Sequence, residues 1–96
     1  MKQRKYETMI IVRPSLTEEQ VNGLIKELEN LVKENGGSVI EDTTFEKKPL
    51  KYVIKKEVSA YYLIMNYEVI SNFNHILIEK LRFNRDILRY MPLIKD

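Results

Sequence analysis

The hydrophobic pattern is densest from Ala60 to Val69, a stretch rich in aromatic and aliphatic residues with no Gly or Pro inside it. Such side chains suit a pleated surface with neighbours on both sides, and the spacing predicts a central strand. Read alternately, Tyr61, Leu63, Met65 and Tyr67 fall on one face and Tyr62, Ile64, Asn66 and Glu68 on the other. The first set reads as core. Tyr6–Arg13 alternates in the same way, with Tyr6, Thr8, Ile10 and Val12 expected inward, and Pro14 stops it. Between these strands Val21, Leu24, Ile25, Leu28, Leu31 and Val32 recur at steps of three and four, the stripe of an amphipathic helix. Ser15 and Thr17 each have a Glu or Gln three residues later, the capping-box spacing. Glu18 and Glu19 fall in the first turn, where the helix dipole favours acids. Gly36 and Gly37 are expected to close the helix.

Ser38–Glu46 and Leu50–Lys56 read as an extended arm bent near Pro49, with Glu57-Val58-Ser59 turning the chain back into the central strand. Ser71 and Asn72 are expected to cap a second helix, with Phe73, Ile76, Leu77, the Lys80 stem and Leu81 as its stripe and Asn84 as its stop. Asp86–Lys95 is the last strand, in which Arg89, Met91 and Leu93 alternate with Tyr90, Pro92 and Ile94. The order is strand, helix, strand, strand, helix, strand. This is an α+β, ferredoxin-like β-α-β-β-α-β arrangement: a four-stranded antiparallel sheet with both helices on one face. Residues 1–96 are expected to make a single domain. Pro49 and Pro92 then fall on strands two and four, which this topology places at the sheet edges. The uncovered face would present Met9, Ile11, Tyr62, Ile64, Tyr90 and Ile94, which is greasy for a surface meant only for water and reads as a binding face.

The chain has no cysteine, which removes disulfide scaffolds, thiol chemistry and zinc–thiolate sites. No apolar run approaches the ~20 residues of a membrane span. The expected location is the cytoplasm, or an organelle if a leader has been removed. The net charge of +2 says little, but its distribution says more. Lys47, Lys48, Lys51, Lys55 and Lys56 follow one another with no acid among them, and Lys2, Arg4 and Lys5 crowd the N-terminus. The acids gather instead on the first helix and at Glu41 and Asp42. Catalytic candidates are thin. His75 is the only histidine and reads as a helix-surface residue, and no phosphate loop, metal motif or nucleophile motif appears. Neither a metal nor a cofactor nor a small-molecule substrate is expected. The lysine-rich arm with Tyr52 admits two readings: lysines on phosphates with a tyrosine stacking on a base, or a solvated edge guarded by charge against sheet-to-sheet pairing.

Over its whole length the chain resembles the family of the sixth protein of the bacterial small ribosomal subunit. The resemblance rests on Lys5-Tyr6-Glu7-Thr8-Met9 with Arg13-Pro14, and on the Leu16-Thr17-Glu18-Glu19-Gln20 helix entry. It continues through Leu50-x-Tyr52-x-Ile54-Lys55-Lys56, Tyr61-Tyr62, Leu81-Arg82 and Asp86-Ile87-Leu88-Arg89-Tyr90. It implies a non-enzymatic structural role in the platform of the small subunit. It also implies binding to small-subunit ribosomal RNA together with the eighteenth small-subunit protein, by a chain that is a monomer outside the ribosome. Carried over, it places Arg4, Tyr6, Tyr52, Lys56 and Arg89 at RNA-facing positions. With the neighbouring basic residues the expected RNA-binding set is Lys2, Arg4, Lys5, Tyr6, Lys48, Lys51, Tyr52, Lys55, Lys56 and Arg89. The apolar open face is the expected seat of the protein partner. The sequence departs from the family pattern at Phe45-Glu46 (commonly Trp-Gly), Pro49 (commonly Arg), Lys51-Tyr52-Val53 (commonly Ala-Tyr-Pro) and Ala60 (often Gly). Two other readings of the fold are a small enzyme of the acylphosphatase type, whose glycine-rich phosphate loop is not visible, and a ferredoxin-like module that pairs with a copy of itself.

Overall fold

The computed structural model describes residues 3–95, apart from the Ser71 side chain. The elements are β1 (Gln3–Val12), α1 (Glu18–Glu34), β2 (Ser38–Ile54), β3 (Glu57–Ile70), α2 (Ser71–Arg82) and β4 (Ile87–Ile94). The strands form one antiparallel sheet in the order β2-β3-β1-β4, so the ferredoxin-like topology is as the sequence predicts. Pro49 and Pro92 lie on the two edge strands, where a missing N–H costs no central ladder bond.

The covered face carries the main core. Tyr6, Ile10 and Val12 of β1 and Tyr61, Leu63, Met65, Tyr67 and Val69 of β3 pack against Val21, Leu24, Ile25, Leu28 and Val32 of α1. Phe73, Leu77 and Leu81 of α2 complete it, while Ile76, expected in the stripe, is largely exposed. Buried among these apolar groups, the Tyr67 hydroxyl donates to Asn74 Oδ1 at 2.7 Å and lies 2.8 Å from the Thr8 hydroxyl. Its own proton goes to Asn74, so Thr8 is the donor to Tyr67. Desolvation pushes the Tyr67 phenol up to about 12, only partly opposed by the Thr8 bond.

The helix ends follow local chemistry. Of the two candidate caps, Thr17 is used: its hydroxyl accepts from Gln20 N at 3.1 Å, and Gln20 Oε1 accepts from Thr17 N at 2.8 Å. At the other end Gly36 adopts φ +80°, and Gly36 N and Gly37 N donate to Lys33 O and Val32 O, a Schellman closure. A side chain at Gly37 would collide with Val69 and the Glu68 carbonyl, so glycine is required there for close approach to β3. The second helix starts at Ser71, one position earlier than expected, and Ile70 stands at its N-cap without a side-chain capping bond. The expected Ser71 cap rests on a side chain outside the described residues. Asn84 sits beyond the helix end at Arg82 and its Oδ1 accepts from Asp86 N, steering the chain into β4.

Two local expectations are corrected. The turn between β2 and β3 is not Glu57-Val58-Ser59 but Lys55-Lys56, two residues flanked by the Ile54–Glu57 pair. Both lysines have positive φ, 48° and 69°, as a primed two-residue hairpin turn requires. The second concerns β4. Val12 pairs with Ile87, but Ile11 pairs with Arg89, so one extra residue is inserted at Leu88. The bulge reverses the alternation beyond it. Tyr90 faces the same side as Ile10 and packs on the main core, and Ile94 aligns with Tyr6. These two residues therefore leave the open face, and Arg89, Met91 and Leu93 take their places.

Candidate functional site

The open face can be read as rows across the sheet. One row runs Thr44, Ile64, Met9, Met91, and its neighbour runs Glu46, Tyr62, Ile11, Arg89. On the far side the next row is Glu41, Asn66, Glu7, Leu93, with Lys95 Nζ 3.5 Å from Glu7 Oε2. The apolar character is thus a stripe rather than a whole face, centred on Ile64, Met9 and Met91. Ile64 is 38 % exposed and Met91 53 %.

Beyond the end of β1 the β2–β3 hairpin continues as an arm, which makes the molecule elongated, 41 × 24 × 22 Å. Its base does not lie flat. From Pro49 (opposite Ser59) to Ile54 (opposite Glu57), β2 carries more residues than β3, so Leu50–Val53 bow out of register. The bow lets Leu50 and Ile54 pack against Ile11, Ala60 and Leu88, forming a second, smaller apolar cluster on the open face. Ala60 and Ile11 are buried by it, at 0 % and 8 % exposure. Between the bowed arm and the sheet lies an open groove of about 420 Å³. Met9, Ile11 and Tyr62 form its floor, Leu50, Lys51, Tyr52 and Ile54 one wall, and the Arg89–Met91 stretch the other.

This groove gathers residues expected in two separate roles. Lys51, Tyr52 and Arg89 from the RNA set stand beside Met9, Ile11 and Tyr62 from the partner set. Among the described residues no carboxylate lies within ion-pair distance of Lys51, Lys55, Lys56 or Arg89. Lys48 is partly engaged: its Nζ is 3.6 Å from Glu46 Oε2 and 5.3 Å from the centre of the Tyr62 ring. Lys47 lies on the other side of the arm, 5.5 Å from the Tyr61 ring centre.

Other members of the expected set are not brought to this place. Lys5 pairs with Glu68 and Arg4 with Val69, whereas Lys48 pairs with Ala60. Ala60 and Glu68 are eight positions apart on β3, which at ~3.3 Å per residue is about 26 Å. The basic residues thus form two patches at opposite ends of the sheet. Lys2 lies outside the described residues. Tyr6 is corrected from an RNA-facing position to the core: it is 5 % exposed and stacked on Tyr67 with ring centres 5.6 Å apart. Leu50, Ile54, Leu88, Met91 and Leu93 were not foreseen at the site. Leu50 and Ile54 carried a signal, being apolar residues set within a basic run; the other three depend on the bulge, which no spacing shows.

Comparison with known proteins agrees with this architecture. The family model "Ribosomal protein S6" matches residues 5–93. The small ribosomal subunit protein bS6 of Thermoanaerobacter pseudethanolicus is 37 % identical over 93 residues, covering 97 % of this chain and 98 % of that protein. The bS6c protein of Guillardia theta is 36 % identical over 90 residues, covering 94 % of each. The crystal structure of 30S ribosomal protein S6 from Thermotoga maritima superposes with a TM-score of 0.89 at 22 % identity, covering 98 % of this chain and 89 % of that one, and shares the fold. The chain belongs to the ribosomal protein S6 family, structural and non-enzymatic constituents of the small ribosomal subunit.

Proposed function

We propose that this protein binds small-subunit ribosomal RNA in the cytoplasmic ribosome through its β2–β3 arm, and does so together with the eighteenth small-subunit protein, helping to build the platform. The observation that carries the reading is the side-by-side placement of unpaired cations and an apolar stripe. Lys51 and Arg89 line the groove with Met9 and Met91, and Lys55 and Lys56 form the turn at the tip of the same arm; these cations offer charge to phosphates, while Ile64, Met9 and Met91 offer a dry surface to a protein. RNA and protein partner would then meet at one composite edge. A monomer outside the ribosome fits the two edge strands, since each contains a proline that cannot donate to a neighbouring copy.

The test is a salt series of binding to small-subunit ribosomal RNA with two charge-removal variants. Changing Lys51, Lys55, Lys56 and Arg89 to Gln should weaken binding and flatten the dependence of log K on log salt by up to about 3, at ~0.7 per lost contact. Changing Arg4 and Lys5 to Gln reports the other patch. An unchanged slope in the arm variant, with a reduced slope in the N-terminal one, would move the RNA site to the opposite end of the sheet.

A further inference from the structure

Resting on the RNA-binding reading above, we infer that the groove beneath the arm receives one unpaired nucleotide, its base against Tyr52 and the apolar floor and its phosphate between Lys51 and Arg89. Three observations lead there. The groove is small: about 420 Å³ lies at the low end of the ~300–1,000 Å³ range of small-ligand sites. A paired helix, whose bases are stacked inside it, has nothing that fits such a space, whereas a splayed single base does. Second, the lining changes in one step from apolar to cationic. Met9 and Ile11 on the floor and Leu50 and Ile54 on one wall supply its apolar part, and Lys51 and Arg89 stand on opposite walls without a carboxylate partner among the described residues. An occupant must therefore be flat and apolar at one end and anionic at the other.

The third observation is the state of the aromatic rings. Tyr62 on the floor already has the Lys48 ammonium near its ring, 5.3 Å from the centre. Tyr52 on the wall is 78 % exposed, far more than a ring of this size normally is inside a folded domain. It lines the groove from the bow in β2, whose flanking residues Leu50 and Ile54 pack on the second apolar cluster. A ring left open between two packed residues, next to two cations with no carboxylate partner among the described residues, is the arrangement that stacks a base. The protein partner would then contact the Ile64 end of the Ile64–Met9–Met91 stripe, whose two methionines also border the groove, rather than fill the groove.

The methionines provide the readout. Met9 and Met91 line the groove, while Met65 is 1 % exposed in the main core. With methyl-labelled methionine, titration of the whole chain with uridine or adenosine 5′-monophosphate should shift the Met9 and Met91 signals saturably and leave Met65 unmoved. Tyr52→Ala and Arg89→Gln should each raise the apparent Kd at least about fivefold, with the Met65 signal reporting that the fold is intact. No shift at Met9 and Met91, or a shift insensitive to both substitutions, overturns the inference. The same shifts with inorganic phosphate alone also overturn it, by reducing the site to a bare anion site. Equal or stronger shifts with a short acidic, aromatic peptide would do so too, assigning the groove to a protein segment. Because the salt series on ribosomal RNA reads total charge contacts, it can succeed while this titration fails, and the two conclusions stand or fall separately.

Discussion

Arg89 stands opposite Ile11 across the β1–β4 ladder, while the position two residues earlier, Ile87, stands opposite Val12. That single insertion decides which side of the sheet is charged. Simple alternation from buried Ile87 would send Arg89 inward and Tyr90 outward; the bulge does the reverse. The two neighbours should therefore separate cleanly in experiment. Arg89→Ala should leave urea stability within about 0.5 kcal/mol and weaken RNA binding. Tyr90→Ala should cost about 2 kcal/mol through lost packing on the core and weaken RNA binding by the folded protein less than Arg89→Ala does. The opposite pattern would mean that the register is wrong.

The Lys55-Lys56 turn holds two side-chain-bearing residues in a conformation that suits Asn and Gly. Replacing them together by Asn and Gly should stabilise the free protein by about 1–2 kcal/mol, read as a higher urea midpoint at unchanged m. The same substitution removes two cations from the arm tip, so RNA affinity should fall as stability rises. A variant that binds RNA as well as wild type would show that the tip lysines are solvated and play no part in binding.

The partner surface is tested at the stripe. Ile64→Asp and Met91→Asp change residues that are already 38 % and 53 % exposed, and should alter stability by no more than about 1 kcal/mol. Each should weaken pairing with the eighteenth protein at least about tenfold, or 1.4 kcal/mol, by isothermal titration. Ile11 is unsuitable for this purpose, since it is buried under the arm and an acid there would disrupt the second apolar cluster. Wild-type pairing by both variants would place the partner elsewhere.

Tyr67 gives a pH signature. Its folded-state phenol is raised to about 12 by burial, against an ordinary value of 10.0, so the native state holds its proton more tightly than the unfolded chain. The associated stability is fully present below pH ~10 and is lost as pH rises from there toward about 12, by at most about 2–3 kcal/mol. Tyr67→Phe should remove this share of the alkaline slope and cost about 1–2 kcal/mol at neutral pH, because Thr8 and Asn74 lose their partner. Equal alkaline slopes in the two proteins would exclude Tyr67 as the source.

Much of the fold could be read along the chain because its signals were local and repeated. The α1 stripe, a capping box at Ser15 or Thr17 and the Gly36-Gly37 closure each speak for themselves within a few residues, and the structure selects Thr17. The inward faces of β1 and β3 followed from strict alternation. The bend near Pro49 was legible, but not the bow of Leu50–Val53 that it opens; nor were the Leu88 bulge and a hairpin turn at two lysines where glycine or asparagine is the usual mark. The site depends on those departures from periodicity. Charge in the arm was visible, but its gathering with Met9 and Tyr62 into one groove needed the bow and the bulge together.

One experiment bears on the composite edge above all others: binding to small-subunit ribosomal RNA across a salt series, with and without the eighteenth protein. Tight, salt-sensitive binding that requires the partner is the expected result, because the unpaired cations and the Ile64–Met9–Met91 stripe lie side by side. Equally weak binding with and without the partner, at every salt concentration, would contradict it and leave the lysines as a solvated guard on an edge strand.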